Sequence, residues 1–182
     1  MSALVIANWK MNGALSAIET FAEAWASVVV PDDVHIVICP PYVYLSAVRE
    51  AMPREVQLGA QDCAGHKAGA FTGEVAADML VESGCAWVIV GHSERRQYHA
   101  ETDELVAQKA RLAQEAGLCA VVCVGEQLGQ REAGEHQQVV AAQLAGSLDG
   151  VDLKNLVVAY EPVLAIGTGH SASPQQAEDM HR

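Results

Sequence analysis

The chain has 182 residues, 51% of them hydrophobic, with 11 Lys and Arg against 23 Asp and Glu for a formal net charge of −12. That length suits one domain with a real core, and that apolar share excludes intrinsic disorder. The acidic balance argues against nucleic acid and anionic membrane surfaces, both of which need basic patches, so an anionic substrate must be drawn by local groups.

Short apolar runs alternate with helix-patterned segments in unbroken order, at residues 4–7, 34–39, 56–58, 87–90, 119–124 and 156–160. Several are apolar at nearly every position, as expected of strands covered on both faces in a parallel sheet. After the first run, Leu15, Ile18, Ala22, Trp25 and Val29 recur at steps of three and four, the stripe of an amphipathic helix. Ahead of the fifth run, Thr102 is placed to cap a helix whose first turn holds Asp103 and Glu104 and whose end Gly117 marks. A further helix is expected over residues 135–148, and Ser173-Pro174 reads as an N-cap followed by proline at the first helical position. Six βα units of about 30 residues fit a βαβ architecture, and with no linker between them residues 1–182 read as one domain. A closed (β/α)8 barrel typically has about 250 residues. Strand pattern therefore leaves open a doubly wound sheet and a barrel lacking its last quarter.

Cys39, Cys63, Cys85, Cys119 and Cys123 include no C-x-x-C pair and mostly lie in or beside apolar runs, the usage of buried free thiols in a reducing cytoplasm. The seven histidines show no zinc-ligand spacing, so no metal is expected. The N-terminus enters a strand directly, without the features of a secretory signal, and no apolar run is long enough to span a bilayer.

The polar groups that close these runs carry the chemistry. Asn8-Trp9-Lys10 follows the first, Gly91-His92-Ser93-Glu94 the fourth, and Glu161 the sixth. A carboxylate at a strand's C-terminal mouth, followed at once by Pro162 and a glycine-bearing stretch, suits a general base under a segment that closes. His92 precedes what reads as a first helical turn, a position that favours neutral imidazole. Lys10 is a natural anchor for a substrate phosphate and a partner for negative charge developing on an enediolate. Two rival motifs fail. Gly167-Thr168-Gly169-His170-Ser171-Ala172 fits the relaxed dinucleotide fingerprint, but six residues separate it from the strand it should follow directly. Gly91-His92-Ser93-Glu94-Arg95 resembles a nucleophile elbow, but its fifth position is arginine. Residues 59–73 form a long loop, and such loops in compact domains are usually functional. Phe71 among small residues suggests insertion into a partner, against the alternative of a self-packed Ω-loop.

At these residues the chain resembles the triosephosphate isomerase family. Ala7-Asn8-Trp9-Lys10-Met11-Asn12-Gly13, Gly69-Ala70-Phe71-Thr72-Gly73-Glu74, Val90-Gly91-His92-Ser93-Glu94-Arg95-Arg96, Cys123-Val124-Gly125-Glu126 and Ala159-Tyr160-Glu161-Pro162-Val163 with Ala165-Ile166-Gly167-Thr168-Gly169 stand in family order and spacing. The resemblance implies a (β/α)8 barrel, of which this chain covers the first six βα units. It also implies a homodimer interlocked through residues 61–73, with Phe71, Thr72 and Gly73 at the contact. The implied reaction interconverts dihydroxyacetone phosphate and D-glyceraldehyde 3-phosphate without cofactor or metal. Glu161 is then the base, His92 the neutral electrophile, and Asn8, Lys10 and Gly167 bind substrate. Ser93 and Glu94 support them, Glu94 by ordering Lys10. Pro162, Val163, Leu164, Ala165, Ile166, Gly167, Thr168 and Gly169 form the lid, which keeps a labile enediol phosphate from water.

Three departures qualify the likeness. Leu164 stands where tryptophan is usual at the lid hinge, Asp62 replaces a usual asparagine and adds charge near the dimer contact, and the strands that complete the phosphate site are not in the sequence. The 182-residue chain is accordingly expected to be impaired alone and to work with a complementary C-terminal fragment. The alternatives are an inactive fragment that self-associates through open edges and a barrel that binds another sugar phosphate.

Overall fold

The computed structural model describes residues 3–162 and 173–181. Six strands, β1 (Ala3–Asn8), β2 (Val34–Cys39), β3 (Val56–Ala60), β4 (Cys85–Val90), β5 (Cys119–Val124) and β6 (Leu156–Tyr160), form one sheet in that order. Every neighbouring pair is parallel. In a doubly wound sheet the strand order reverses at a switch point, whereas here it never does. This is the winding of a (β/α)8 barrel, represented by its first six βα units.

The near-continuous apolar runs now have a cause. Ile38, Leu58, Val88, Val90, Ala120, Val122 and Val124 point toward the helices, into a large cluster with Leu80, Val106 and Ala110. The alternate residues Val37, Cys39, Ile89, Val121 and Cys123 meet on the other face of the sheet, packed by Leu4, Ile6, Trp87 and Val157. A strand buried on both faces has no polar side to show. The outer strands are less covered. Among the described residues β1 pairs only with β2 and β6 only with β5, and Val5 and Val158 are 52% and 38% exposed.

Among the described residues eight α-helices connect or follow the strands: α1 (Leu15–Trp25), α2 (Leu45–Ala51), α3 (Ala77–Glu82), α4 (Ser93–Tyr98), α5 (Asp103–Glu115), α6 (Leu128–Glu132), α7 (His136–Ser147) and α8 (Pro174–His181). The local signals hold. Thr102 Oγ1 accepts the Leu105 N–H at 3.3 Å, Gly117 adopts a φ of 96° beyond the end of α5, and Ser173 Oγ accepts the Gln176 N–H at 3.2 Å.

The stripe of α1 holds only in its middle. Ile18 is buried, and Ala22 and Trp25 pack against the main cluster, with Phe21 bridging Trp9 and Trp25 through edge and tilted ring contacts. The helix stops at Trp25, so Val29 lies in the following loop, 91% exposed, and Leu15 at the first turn is 62% exposed. A three-four spacing says which residues share a face but not where the face stops meeting the sheet. None of the five cysteines is paired in a disulfide, and among the described residues no helix is long and apolar enough to cross a membrane.

Candidate active site

Parallel strands end at one rim, so Asn8 at the end of β1, Lys10 just beyond it, His92 after β4 and Glu161 after β6 converge although far apart in sequence. The carboxylate of Glu161 lies against the imidazole, with Oε2 at 3.0 Å from His92 Nε2. Its Oε1 accepts the Ser93 N–H at 2.6 Å. The backbone of Glu161 is held by its N–H donating to Val124 O at 2.8 Å. Before it, the Tyr160 hydroxyl donates to Glu126 Oε1 at 3.1 Å and accepts from Arg131 at 2.7 Å.

The ring of His92 has one proton placement consistent with these contacts. Nδ1 accepts the Glu94 N–H at 3.2 Å, so its lone pair is occupied and the proton resides on Nε2, facing Glu161. The Glu94 carboxylate, 3.5 Å from Nδ1, would favour a proton there, but the backbone amide already fills that position. The two amides of the first turn of α4 are thus each committed to one side-chain acceptor, Ser93 N–H to Glu161 and Glu94 N–H to His92. Burial by itself would raise the Glu161 carboxyl, but hydrogen bonds from His92 and Ser93 hold it below the ordinary carboxylate value. Burial, then the charge of Glu161, pushes the Cys123 thiol well above its usual range. It stays protonated beside the base.

Lys10 Nζ is 2.9 Å from Glu94 Oε1, with both side chains substantially exposed at 52% and 39%. Its backbone carries strain, with φ at 52°, a left-handed conformation that costs a non-glycine residue roughly 1–2 kcal/mol. The Asn8 side chain holds that turn by accepting the Lys10 N–H at 2.9 Å. Gln61 then clamps it, donating to Lys10 O at 2.9 Å and Cys39 O at 2.8 Å. A cavity of about 600 Å³ lies over this rim, lined by Asn8, Lys10, Gln61, His92 and Glu94 and extending outward to Tyr42 and Tyr98. Glu161 stands behind His92, which lines the cavity, with its Oε1 on the Ser93 N–H.

Pro162 is described and abuts Gly125. The expected lid residues Val163, Leu164, Ala165, Ile166, Gly167, Thr168 and Gly169, including the phosphate donor Gly167, lie outside the described residues. In the long loop, Phe71 is 42% exposed and stacks on His66 with centroids 3.9 Å apart and planes at 4°. The loop is therefore packed on itself and still presents an aromatic face, and Thr72 and Gly73 beside it are exposed. Asp62 differs from expectation. It is 5% exposed, and its charge meets Lys109 at 2.8 Å and Arg95 at 2.9 Å inside the chain. Glu101 completes this cluster, 2.5 Å from Lys109 and 2.6 Å from Arg95. Gly125 stood in a family-like motif and Asp62 as a departure from one, but their partners, like those of Gln61, lie on other strands and helices and were not legible. Among the described residues no group of three or more His, Cys, Asp and Glu could hold a metal ion.

The sequence model of the family described as triosephosphate isomerase matches residues 3–182. Among curated relatives, a triosephosphate isomerase of Alkalilimnicola ehrlichii is 51% identical over 182 residues, covering 98% of this chain and 72% of the relative. One from Alcanivorax borkumensis is 49% identical, with 98% and 72% covered. One from Cupriavidus pinatubonensis is 48% identical, with 98% and 74% covered.

Proposed function

The chain belongs to the triosephosphate isomerase family, and from that premise we propose that it interconverts dihydroxyacetone phosphate and D-glyceraldehyde 3-phosphate, a step of glycolysis and gluconeogenesis. The observation that carries this reading is the 3.0 Å contact between Glu161 and His92 Nε2, with Nδ1 engaged by the Glu94 N–H. A carboxylate held ionised and a neutral imidazole presenting an N–H are the pair needed to move a proton beside a carbonyl.

Both Glu161 oxygens are engaged, Oε1 by the Ser93 N–H and Oε2 by His92 Nε2, and to reach a substrate carbon the carboxylate gives up the Ser93 contact and turns into the cavity. The carboxylate then takes a proton from the carbon next to the carbonyl, the C–H electron pair forms the new carbon–carbon double bond, and the carbonyl π pair moves onto its oxygen to give an enediolate. The His92 Nε2–H, released from Glu161, stabilises that oxygen, and the ammonium of Lys10 offsets the growing charge. His92 Nε2–H gives its proton to that oxygen and takes one from the neighbouring hydroxyl. Return of the proton from Glu161 to the neighbouring carbon completes the isomerisation with no net gain or loss of atoms. Asn8 orders the Lys10 turn, Gly167 donates its N–H to the phosphate, and residues 162–169 close over the site. In the reaction, Glu161→Ala should abolish turnover of dihydroxyacetone phosphate and the exchange of its carbon-bound hydrogen with deuterated water. Turnover that survives this change ends the proposal.

Two assemblies accompany the reading. A homodimer forms through residues 61–73, supported by the presented face of Phe71. Sedimentation should give a dimer that Phe71→Ser dissociates. The exposed Val5 and Val158 on β1 and β6, which among the described residues pair on one side only, favour completion of the barrel by a complementary C-terminal fragment. Adding such a fragment should raise turnover, and no change would leave self-association of the edges as the better account. The absence of disulfides supports a cytoplasmic setting.

A further inference from the structure

Adjacent arginines on α4 point in different directions. Arg95 reaches the Asp62 and Glu101 cluster. Arg96 turns inward between β4 and β5. Its Nε donates to Gly91 O at 2.8 Å, and one terminal nitrogen donates to Cys123 O at 3.1 Å and Ser147 Oγ at 2.9 Å. The other bonds Asp103 Oδ1 at 2.5 Å, which also accepts from the Ser147 hydroxyl at 2.9 Å. Ser147 is fully buried, so this end of the clamp is anchored on α5 and α7.

The two carbonyls matter for what adjoins them. Gly91 immediately precedes His92, and Cys123 immediately precedes Val124, whose carbonyl holds the Glu161 N–H at 2.8 Å. Gly91 takes a φ of 68°, and a Cβ there would lie 2.8 Å from Val106 and 3.1 Å from the Arg96 guanidinium. The strand exit is thus fitted around the arginine. A guanidinium is a rigid planar fork with donors at fixed spacing, which lysine cannot reproduce.

We infer that Arg96 is a positioning residue, a spacer between the exits of β4 and β5 that sets the approach of His92 to Glu161. The Arg96 guanidinium touches neither the imidazole nor the carboxylate, and its backbone N–H donates to His92 O at 3.1 Å within the turn of α4. Without it two carbonyls lose their donor, and the imidazole is carried on a strand end no longer tied to the one that registers the base.

The inference rests on the isomerase reading only for its rate readout. Arg96→Lys and Arg96→Gln should lower kcat by ~10²-fold, the scale of a 1 Å misplacement, with KM close to wild type. They should also weaken the downfield proton resonance of His92 Nε2–H, observed by NMR on ¹⁵N-histidine-labelled chain without substrate. Guanidinium added to Arg96→Ala should restore both. A lower Tm with kcat per folded molecule and the Nε2–H resonance unchanged would overturn the inference. If the Arg96 variants do not fold, Ser147→Ala decides. A smaller loss of kcat at constant KM supports the clamp, and unchanged kcat and resonance refute it. If the wild-type chain turns over no triose phosphate, the proposed activity fails, while the resonance in the variants still tests Arg96.

Discussion

Gly125→Ala tests how tightly the base is placed. Gly125 follows β5, and an ideal Cβ on it would lie 2.0 Å from Glu161 O, 2.6 Å from Glu161 C and 3.3 Å from Pro162 N. An ordinary carbon–oxygen contact is about 3.3 Å, so the two backbones must part by about 1.3 Å. Gly125 cannot readily yield, because the Gln143 side chain accepts its N–H at 2.8 Å and donates to its carbonyl at 3.1 Å. The displacement therefore falls on Glu161, whose backbone N–H is held by the 2.8 Å bond to Val124. A shift of about 1 Å in a reacting group costs ~10²-fold in rate, or about 2.7 kcal/mol of barrier. Overpacking should also destabilise the fold by about 1–3 kcal/mol, so activity must be taken per folded molecule. The assay is steady-state isomerisation of either triose phosphate, with binding of an inert phosphate analogue measured separately. Analogue affinity should be nearly unchanged while kcat drops. A folded Gly125→Ala protein with wild-type kcat would refute the claim that the approach of β5 to residue 161 places the base.

The remaining predictions address charge and backbone. Because Glu161 is held below the ordinary carboxylate value, its stabilising contribution is present above the unfolded value of about 4.3 and is lost as pH falls through the lower folded one. The acid limb of kcat/KM, once corrected for the second ionisation of the substrate phosphate at ~6, should accordingly lie below that ordinary value, and a corrected limb above it would contradict the assignment of Glu161 as the base. Asp62 shows the opposite sign. Burial outweighs Lys109 and pushes its carboxyl up to about 6, so its stabilising effect is full below the unfolded value and disappears as pH rises through about 6. Relative to wild type, Asp62→Asn should gain up to about 3 kcal/mol in stability between pH ~4 and ~7.5. Urea unfolding at a series of pH values measures this, and parallel stability curves would refute it. At the strained turn, Lys10→Gly should be more stable than Lys10→Ala by about 1 kcal/mol, because glycine accepts a positive φ freely. Both variants should lose affinity for the phosphate analogue, and equal stabilities would mean that the turn stores no strain.

Much of the fold and of the candidate site could be read without coordinates, because their signals are local. An apolar run flanked by helix patterns announces a buried parallel strand, Thr102, Gly117 and Ser173-Pro174 mark helix ends by their own chemistry, and polar groups at strand ends stand out by position. His92 and Glu161 were legible for that reason. Other features depended on groups brought together from a distance. Single winding, as opposed to a doubly wound sheet, is a property of strand order, which six similar runs do not encode. Arg96 meets Cys123 across 27 positions, Asp62 meets Lys109 across 47, and Ser93 meets Glu161 across 68. Residue periodicity says which face of an element is buried, but the hydrogen-bonding partner of a buried group is set by strand register and helix placement. That is why sequence alone indicated a base and an imidazole on one rim, while only the tertiary structure decided that the base rests on Ser93 and that a buried arginine stands behind the histidine.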